Sequence, residues 1–576
     1  MSYPDWIVLI AALLVIILYG VYKSRSSKSL DGYFLSDREM PWWLILLSIV
    51  GTQASAITFL SAPGQAYTDG MRFVQYYFGL PLAMVVLCVT LVPMFHRLKL
   101  YTAYEYLEQR FDLKTRTYTT FLFLLQRGVS TGVSVYAPSI ILSSLLGWNI
   151  YVTNIFMGGL LIIYTVTGGA RAVAYTQQLQ LVIVFVSIFI TAYMVVNMLP
   201  GDVGFFDALR VGGKMGKLNV ITTGMNQKGS GFDWSDQYNI FSGLIGGFFL
   251  ALSYFGTDQS QVGRYLTAKS TRESKIGLLL NGLVKVPMQF LILLIGVLVF
   301  SFYQFHKAPL FFNNEMFEKV SKTSYSDSVK AIQVSYDKIN DRRVELMATF
   351  HPKNDDIGPA AQEELKNLNA QGDSLRKSFM RIAKKSGVAG ETKDTNYIFL
   401  RFVIDYMPKG LVGLMIAVIF LASWGSIAAA LNSLASASVV DFHKKFINAD
   451  LTHEQDVKIS RWYTFFWGVF SIIVAQYVNN VGNSLIEAVN KLGSLFYGVT
   501  LGVFIVGYFL KWVKGSAVFW SAVVSELLVV LIFIMSENKI IGLGFLWLNF
   551  FGALSVAIIA ILLQASIFKN SRTKST

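Results

Sequence analysis

Cysteine and charge are what this 576-residue chain has least of. The single cysteine, Cys88, lies in an apolar run, which excludes a disulfide framework and a cysteine-based metal site. Asp, Glu, Lys and Arg make up 15% of the residues, where a soluble domain carries about 25%, so a soluble enzyme is excluded too. The five histidines (His96, His306, His351, His443, His453) fall outside the long apolar runs or at their ends. No Asp-x-Asp pair and no Gly-x-x-x-x-Gly-Lys-Ser/Thr run offers a metal or phosphate site. One His-x-x-x-Asp, His351 with Asp355, sits in a polar stretch away from every apolar run and reads as a chance match. A membrane-embedded transferase therefore fits poorly, and neither a cofactor nor a catalytic residue is expected.

What the chain has is apolar length. Hydrophobic residues reach 54% and mean hydropathy is +0.50. The charges are uneven: Phe305–Tyr397 holds 15 Lys/Arg and 13 Asp/Glu in 93 residues, and the other 483 residues hold 56. A crossing helix needs about 20 apolar residues. Thirteen segments qualify: Trp6–Tyr22, Trp42–Ala66, Phe73–Phe95, Tyr118–Leu146, Ile150–Gly168, Val173–Met198, Asn239–Thr257, Ile276–Gln304, Pro408–Val440, Ser460–Tyr477, Leu485–Leu510, Ser516–Met535 and Ile540–Phe568. The expectation is an all-α polytopic membrane protein with 13 transmembrane helices. Lys23, Arg25 and Lys28 follow the first segment rather than precede it, the reverse of a signal peptide. The N-terminus is thus expected outside and the C-terminus inside a cell membrane, with Lys and Arg concentrated in the inner short loops. Most of the net charge of +14 then marks topology and contact with anionic lipid. No basic cluster interleaves with aromatics on a soluble domain, so no nucleic-acid partner is expected. The polar stretch reads as two amphipathic helices, near Thr323–Thr349 and Pro359–Lys385, forming an outer hairpin that serves either as a solvated cap or as a docking surface.

Two spans carry polar interruptions. Gly51-Thr-Gln-Ala-Ser-Ala-Ile-Thr-Phe-Leu-Ser-Ala-Pro-Gly64 fills the second span with small and hydroxyl residues, and Phe248-Phe-Leu-Ala-Leu-Ser-Tyr-Phe-Gly-Thr-Asp-Gln259 breaks the seventh near its inner end. Small residues alone are explained by close helix packing. A pair of breaks five spans apart points instead to a central binding site in a secondary transporter, where unwound carbonyls meet a cation.

These residues resemble the sodium/solute symporter family, which includes the sodium-coupled sugar, iodide, monocarboxylate, proline and sialic acid transporters. Five stretches carry the resemblance in order: Ser55–Tyr67, Leu100–Phe111, Tyr164–Thr176, Tyr254–Lys269, and Ala428–Ser436 with Val440-Asp441. The resemblance implies two inverted five-helix repeats (42–199, and 239–304 with 398–511) around an outer loop at 200–238. A helix and linker at 1–41 precede the repeats, two helices within 512–576 follow them, and the hairpin at 305–397 interrupts the second. It implies a transporter of a small polar solute (a sugar, sugar acid or monocarboxylate) coupled to sodium by alternating access, working as a monomer in the bilayer. The alternative is an uncoupled facilitator or a transporter-derived sensor.

The implied sodium site uses carbonyls of Gly51, Ala54 and Ala422 with hydroxyls near Gly425 and Ser426, hard oxygen ligands suited to a small cation. The family has two adjacent hydroxyl residues where this chain has Gly425-Ser426, and an Asp is usual where it has Gln177. Both departures point to one coupling sodium or to altered coupling. A helix-internal role, bonding back along the chain, is the plain alternative for Ser426. By position the solute cavity is offered Gln53, Thr58, Gln75, Tyr76, Tyr77, Gln126, Ser130, Tyr254 and Lys285. Charge inside a span marks function by default. Lys285 resembles a lysine that sugar-transporting members use on substrate, with Glu487 as a salt-bridge partner if the fold brings them together. Arg127 is either an anion ligand or a partner of helix carbonyls, Tyr254 resembles an aromatic that closes the cavity toward the cytoplasm, and Glu526 reads as structural.

Overall fold

The structure is a computed structural model of the chain, describing all residues except 24–29, 226–230, 349–357, 389, 479–483 and 569–576. Arg25, Lys28, His351, Asp355 and the expected end of the first hairpin helix at Thr349 lie outside the described residues, as does the side chain of Lys23. In lipid a backbone must satisfy its own hydrogen bonds, which a single-pass segment does only as helix. Among the described residues there is accordingly no strand, only isolated bridges of Met40 with Ala268 and Met225 with Phe232.

The helices run in order as α1 (Tyr3–Lys23), α2 (Leu30–Leu35), α3 (Trp42–Gln53), α4 (Ala56–Asp69), a 3-10 stretch Gly70–Tyr77, α5 (Leu80–Val89), α6 (Leu91–Leu98), α7 (Glu105–Arg110), α8 (Leu113–Leu146) and α9 (Ile150–Asn197). Then come α10 (Phe205–Lys214), α11 (Gly247–Gly256), α12 (Gln259–Leu266), α13 (Thr271–Phe305), α14 (Asn314–Ser321), α15 (Ser326–Ala348), α16 (Pro359–Lys385) and α17 (Ile398–Tyr406). The chain ends with α18 (Leu411–Ala437), α19 (His453–Ala475), α20 (Leu485–Phe509), α21 (Gly515–Glu537) and α22 (Leu546–Ser566).

Among the described residues, eight helical stretches are able to cross a membrane by length and composition, and four shorter apolar helices (Tyr3–Ile16, Trp42–Gln53, Ile150–Val166 and Ser242–Gly256) accompany them. The expected spans divide differently for local reasons. The second stops at Ala54 (φ −78°, ψ 72°) and extended Ser55, not at Pro63-Gly64, and helix resumes through Pro63. The third is a 3-10 stretch, then two helices kinked at Thr90. The tenth, α19, falls in neither group, because its first turns carry Glu454, Asp456, Lys458 and Arg461. The fifth and sixth run as one helix, α9, although a loop was expected after Gly168. Yet the Tyr164 hydroxyl lies 2.8 Å from Thr176 Oγ1. Twelve residues of straight helix would separate them by about 18 Å, so the axis of α9 bends sharply between them.

Burial orders the layers. α18 is buried at nearly every position from Val412 to Ala437 and forms the centre. α1 and α21 instead expose Ile7, Leu14, Leu18, Leu527, Leu531 and Ile534, the apolar faces that lipid covers. The hairpin α15–α16 has a separate small core, including Leu310, Phe311, Val329, Tyr336 and Phe379.

Candidate functional site

Two breaks face one another. The first, at Ala54 and Ser55, separates α3 from α4. The second, at Thr257 and Asp258, separates α11 from α12, and the Asp258 side chain caps α12 by accepting from Ser260 N at 2.8 Å. Between them lies a cavity of about 140 Å³. Gln53, Thr58, Tyr76, Tyr77, Tyr254 and Lys285 line it, with Ser426 of α18 and Arg127 of α8. Among the described residues, two cationic side chains thus face the cavity and no carboxylate lies in its lining.

Lys285 is 1% exposed at mid-length of α13. Its ammonium lies 5.5 Å from the Tyr77 ring centre, and it has no hydrogen bond or ion pair with any described residue. Glu487, its suggested partner, pairs instead with Lys491 one turn along α20 at 3.2 Å, and Lys491 reaches Glu537 at 2.7 Å. Burial of an unpaired ammonium is unfavourable unless something else completes its hydrogen bonding.

Arg127 closes one end of the cavity. It is ion-paired to buried Asp258, donates to the Tyr497 hydroxyl at 3.2 Å, and lies 5.4 Å from the Tyr254 ring centre. Tyr497 in turn donates to Asp258 at 3.0 Å, and Gln261 donates to the Tyr254 hydroxyl at 2.7 Å. Arg127 Nε is buried with no hydrogen-bond partner among the described residues. At the other end Tyr76 donates to Asn490 Oδ1 at 3.0 Å, and Phe73 stacks on Tyr76 with ring centres 5.5 Å apart.

Three of the expected solute residues do not line the cavity. Gln75 is fully buried and ties the outer loop, donating to Tyr238 O and Thr222 Oγ1, both at 3.0 Å. Gln126 donates to Ser130 Oγ at 3.1 Å and to Tyr497 at 3.2 Å, which occupies both. The structure adds Ser55, Thr131, Ser134, Ser260, Asn490 and Tyr497 to the lining. Tyr497 carries no local sequence signal, since only the packing of α20 on α8 brings it to Arg127. Asp258, lying in the second break, was the available clue to Arg127's partner.

On the other face of the first break are the expected cation residues. Among the described residues no backbone N–H bonds to the carbonyl of Gly51 or Ala54, as unwinding requires. Ala422 lies one turn before Ser426 on α18, Ser426 Oγ donates to Ser423 O at 3.0 Å, and Ser423 Oγ is buried without a partner. Gln177 of α9 lies between Gly51 and Gly425. Its Nε2 donates to Gly425 O at 3.1 Å and Thr52 Oγ1 at 3.2 Å, and its Oε1 accepts from Ser48 at 2.9 Å. A Cβ on Gly51 would lie 2.9 Å from Gln177 Cβ, and one on Gly425 would lie 2.5 Å from Gln180 Oε1 and 3.1 Å from Gln177 Cγ. The two departures noted in the sequence are therefore one arrangement: glycine at 425 makes the room that Gln177 and Gln180 occupy.

With that geometry in hand, comparisons with known proteins agree. A model of the sodium:solute symporter family matches residues 33–324 and 379–525. The sodium/sialic acid symporter NanT of Aliivibrio fischeri is 26% identical over 98% of this chain and 94% of its own length. The sodium/sialic acid symporter SiaT of Proteus mirabilis is 25% identical over 100% and 97%. The sodium/glucose cotransporter of Vibrio parahaemolyticus is 24% identical over 89% and 81%. The fold is similar to that of a Na+-coupled sialic acid symporter solved substrate-bound and outward-open, with TM-score 0.73, 22% identity and 98% of both chains covered.

Proposed function

We propose, from the premise that the chain belongs to the sodium:solute symporter family, that it carries a small organic anion of the sugar-acid class across the membrane together with sodium. The observation that carries this reading is a cavity faced, among the described residues, by Lys285 and Arg127 and by no carboxylate. A carboxylate on the solute would complete the hydrogen bonding of Lys285 beside the cationic Arg127, while Gln53, Thr58 and Asn490 offer partners for hydroxyls. A neutral sugar would leave the ammonium uncompensated. The relatives whose names specify sialic acid support the same class.

One sodium ion would be held by carbonyls of Gly51, Ala54 and Ala422 with the Ser426 hydroxyl, and Gly425 adds only a carbonyl that Gln177 already engages. Bound there it would join α3 to α18 and favour the state in which those helices are together, the differential affinity that alternating access requires. Thirteen spans in two inverted repeats, with the N-terminus outside, suit the breaks five spans apart. The hydrogen bonding of Gln177 motivates a second reading, in which protein alone holds α3 to α18 and the chain is an uncoupled facilitator or a sensor.

Proteoliposomes separate these readings. Uptake of labelled sialic acid should rise with an inward sodium gradient over an equal potassium gradient. Equal uptake in both defeats the coupling, and equal competition by a neutral hexose defeats the anionic class.

A further inference from the structure

The family model stops at residue 324 and resumes at 379, so α15 and most of α16 lie outside it. They are nonetheless fastened to the rest of the chain. Asn340 donates to Ala308 O at 2.9 Å, Asn369 to Gln304 Oε1 at 3.0 Å, and Gln362 to Lys214 O at 3.1 Å. One fastening differs in kind. Arg376 of α16 places Nη2 2.9 Å from both carboxylate oxygens of Asp394, and its guanidinium lies 4.9 Å from the Phe312 ring centre. Both charged side chains are buried. Asp394 also accepts from Phe312 N at 2.8 Å and opens the turn Thr395–Tyr397.

That turn touches two walls of the cavity. The Thr395 carbonyl presses on α4 so closely that a Cβ on Gly64 would lie 1.9 Å from it. Asn396 Oδ1 accepts from Leu485 N, the first residue of α20, at 3.1 Å. Beside it α4 and α20 are joined directly, Ser484 donating to Gln65 at 3.1 Å and Ile486 N to Ser61 at 3.3 Å. α4 supplies Ile57 and Thr58 to the cavity, and α20 supplies Ile486, Val489 and Asn490.

We propose that the hairpin is a strap across the cavity wall, in which Arg376 is a positioning residue that acts through Asp394 to hold α4 and α20 closed together. This rests on the reading of the cavity as the solute site. The buried pair suits such a role: separating it strands one charge out of water, whereas an exposed pair such as Lys307 with Asp341 parts at little cost.

The test needs neither solute nor sodium, so it fails separately from the uptake measurements. Thr58→Cys is placed in the full chain carrying Cys88→Ala, in sealed vesicles presenting the hairpin outward. Modification by a membrane-impermeant maleimide is then timed. With Arg376→Ala the rate should rise about tenfold, as a scarce open state gains population. Asp394→Asn should act alike, and Arg376→Lys should restore most of the protection. Unchanged rates in Arg376→Ala and Asp394→Asn, with melting like the parent, overturn the proposal. Should Arg376→Ala fail to fold, Arg376→Lys and Asp394→Asn decide it by the same rates.

Discussion

Two buried side chains flank the break between α3 and α4, and their circumstances are opposite. Gln177 uses both ends of its amide, bonding Ser48, Thr52 and the Gly425 carbonyl across three helices. Lys285, on the cavity side, bonds to no described residue and lies near the Tyr77 ring. Both are polar groups inside a membrane protein, where polarity usually marks function. The contrast shows how to divide such groups. A satisfied one holds helices together, and one left unsatisfied beside open space is waiting for something that the chain does not contain.

The largest expected effect on binding tests that division directly. Lys285→Ala should remove solute binding, by about 10- to 100-fold or more, the worth of a hydrogen bond to a charged group, while the protein melts no lower than the parent. Loss of stability with binding intact would place Lys285 with the structural groups and collapse the comparison. Isothermal titration and a thermal melt read both arms.

Arg127 is the mixed case, paired to Asp258 yet lining the cavity. Arg127→Gln leaves a buried carboxylate alone and should destabilise by about 3–5 kcal/mol. The double change Arg127→Gln with Asp258→Asn should recover much of that stability and still bind the anion poorly. Recovery of full affinity in the double variant would make Arg127 a brace rather than a ligand.

Much of this could be read from sequence, and the remainder for identifiable reasons could not. Both breaks were visible because small and hydroxyl residues interrupt apolar runs there, a composition that membrane helices tolerate only with cause. Lys285, Tyr254 and Arg127 stood out as charged or aromatic residues in such runs. The partner of Glu487 was misplaced because Lys491, one turn away on the same helix, pairs with it. Gln75 and Ser130 were assigned by position on a helix, and which face each presents depends on the 3-10 stretch and on Gln126, neither encoded locally. The strap was invisible, because Arg376 and Asp394 are 18 residues apart and only the fold of the hairpin closes that distance.

Gln177 supplies the converse of the Lys285 experiment. Gln177→Ala should lower stability by about 1–3 kcal/mol, since Ser48, Thr52 and the Gly425 carbonyl lose a partner in a dry site, and should leave solute affinity almost unchanged. Gln177→Asp sharpens the point. A carboxylate facing the Gly425 carbonyl and the Thr52 hydroxyl is an oxygen set for a second cation. The Hill coefficient for sodium in uptake should then rise above the parent's. An unchanged coefficient, with the variant folded, would mean that the amide does not stand where a cation would fit.

Glu391 lies between these extremes, beside the outer turn rather than in the cavity. Its Oε1 accepts from Asn396 at 2.7 Å, while its Oε2 is buried without a partner. Burial raises its carboxyl from the ordinary 4.5 to about 8, opposed by the Asn396 hydrogen bond, with Asp394 adding to the rise and Lys393 and Tyr397 opposing it. Between those values the folded chain keeps a proton that the unfolded chain has released, so stability is lost as pH rises from about 4.5 to about 8 and is level above. The turn Thr395–Tyr397, bonded to Glu391 through Asn396, should therefore exchange its amide hydrogens faster at pH 8 than at pH 5.5, after correction for intrinsic exchange. Glu391→Gln keeps the oxygen that accepts from Asn396 and removes the titration, so its corrected rates should match at the two pH values. A pH dependence that survives the substitution would assign the effect to another group.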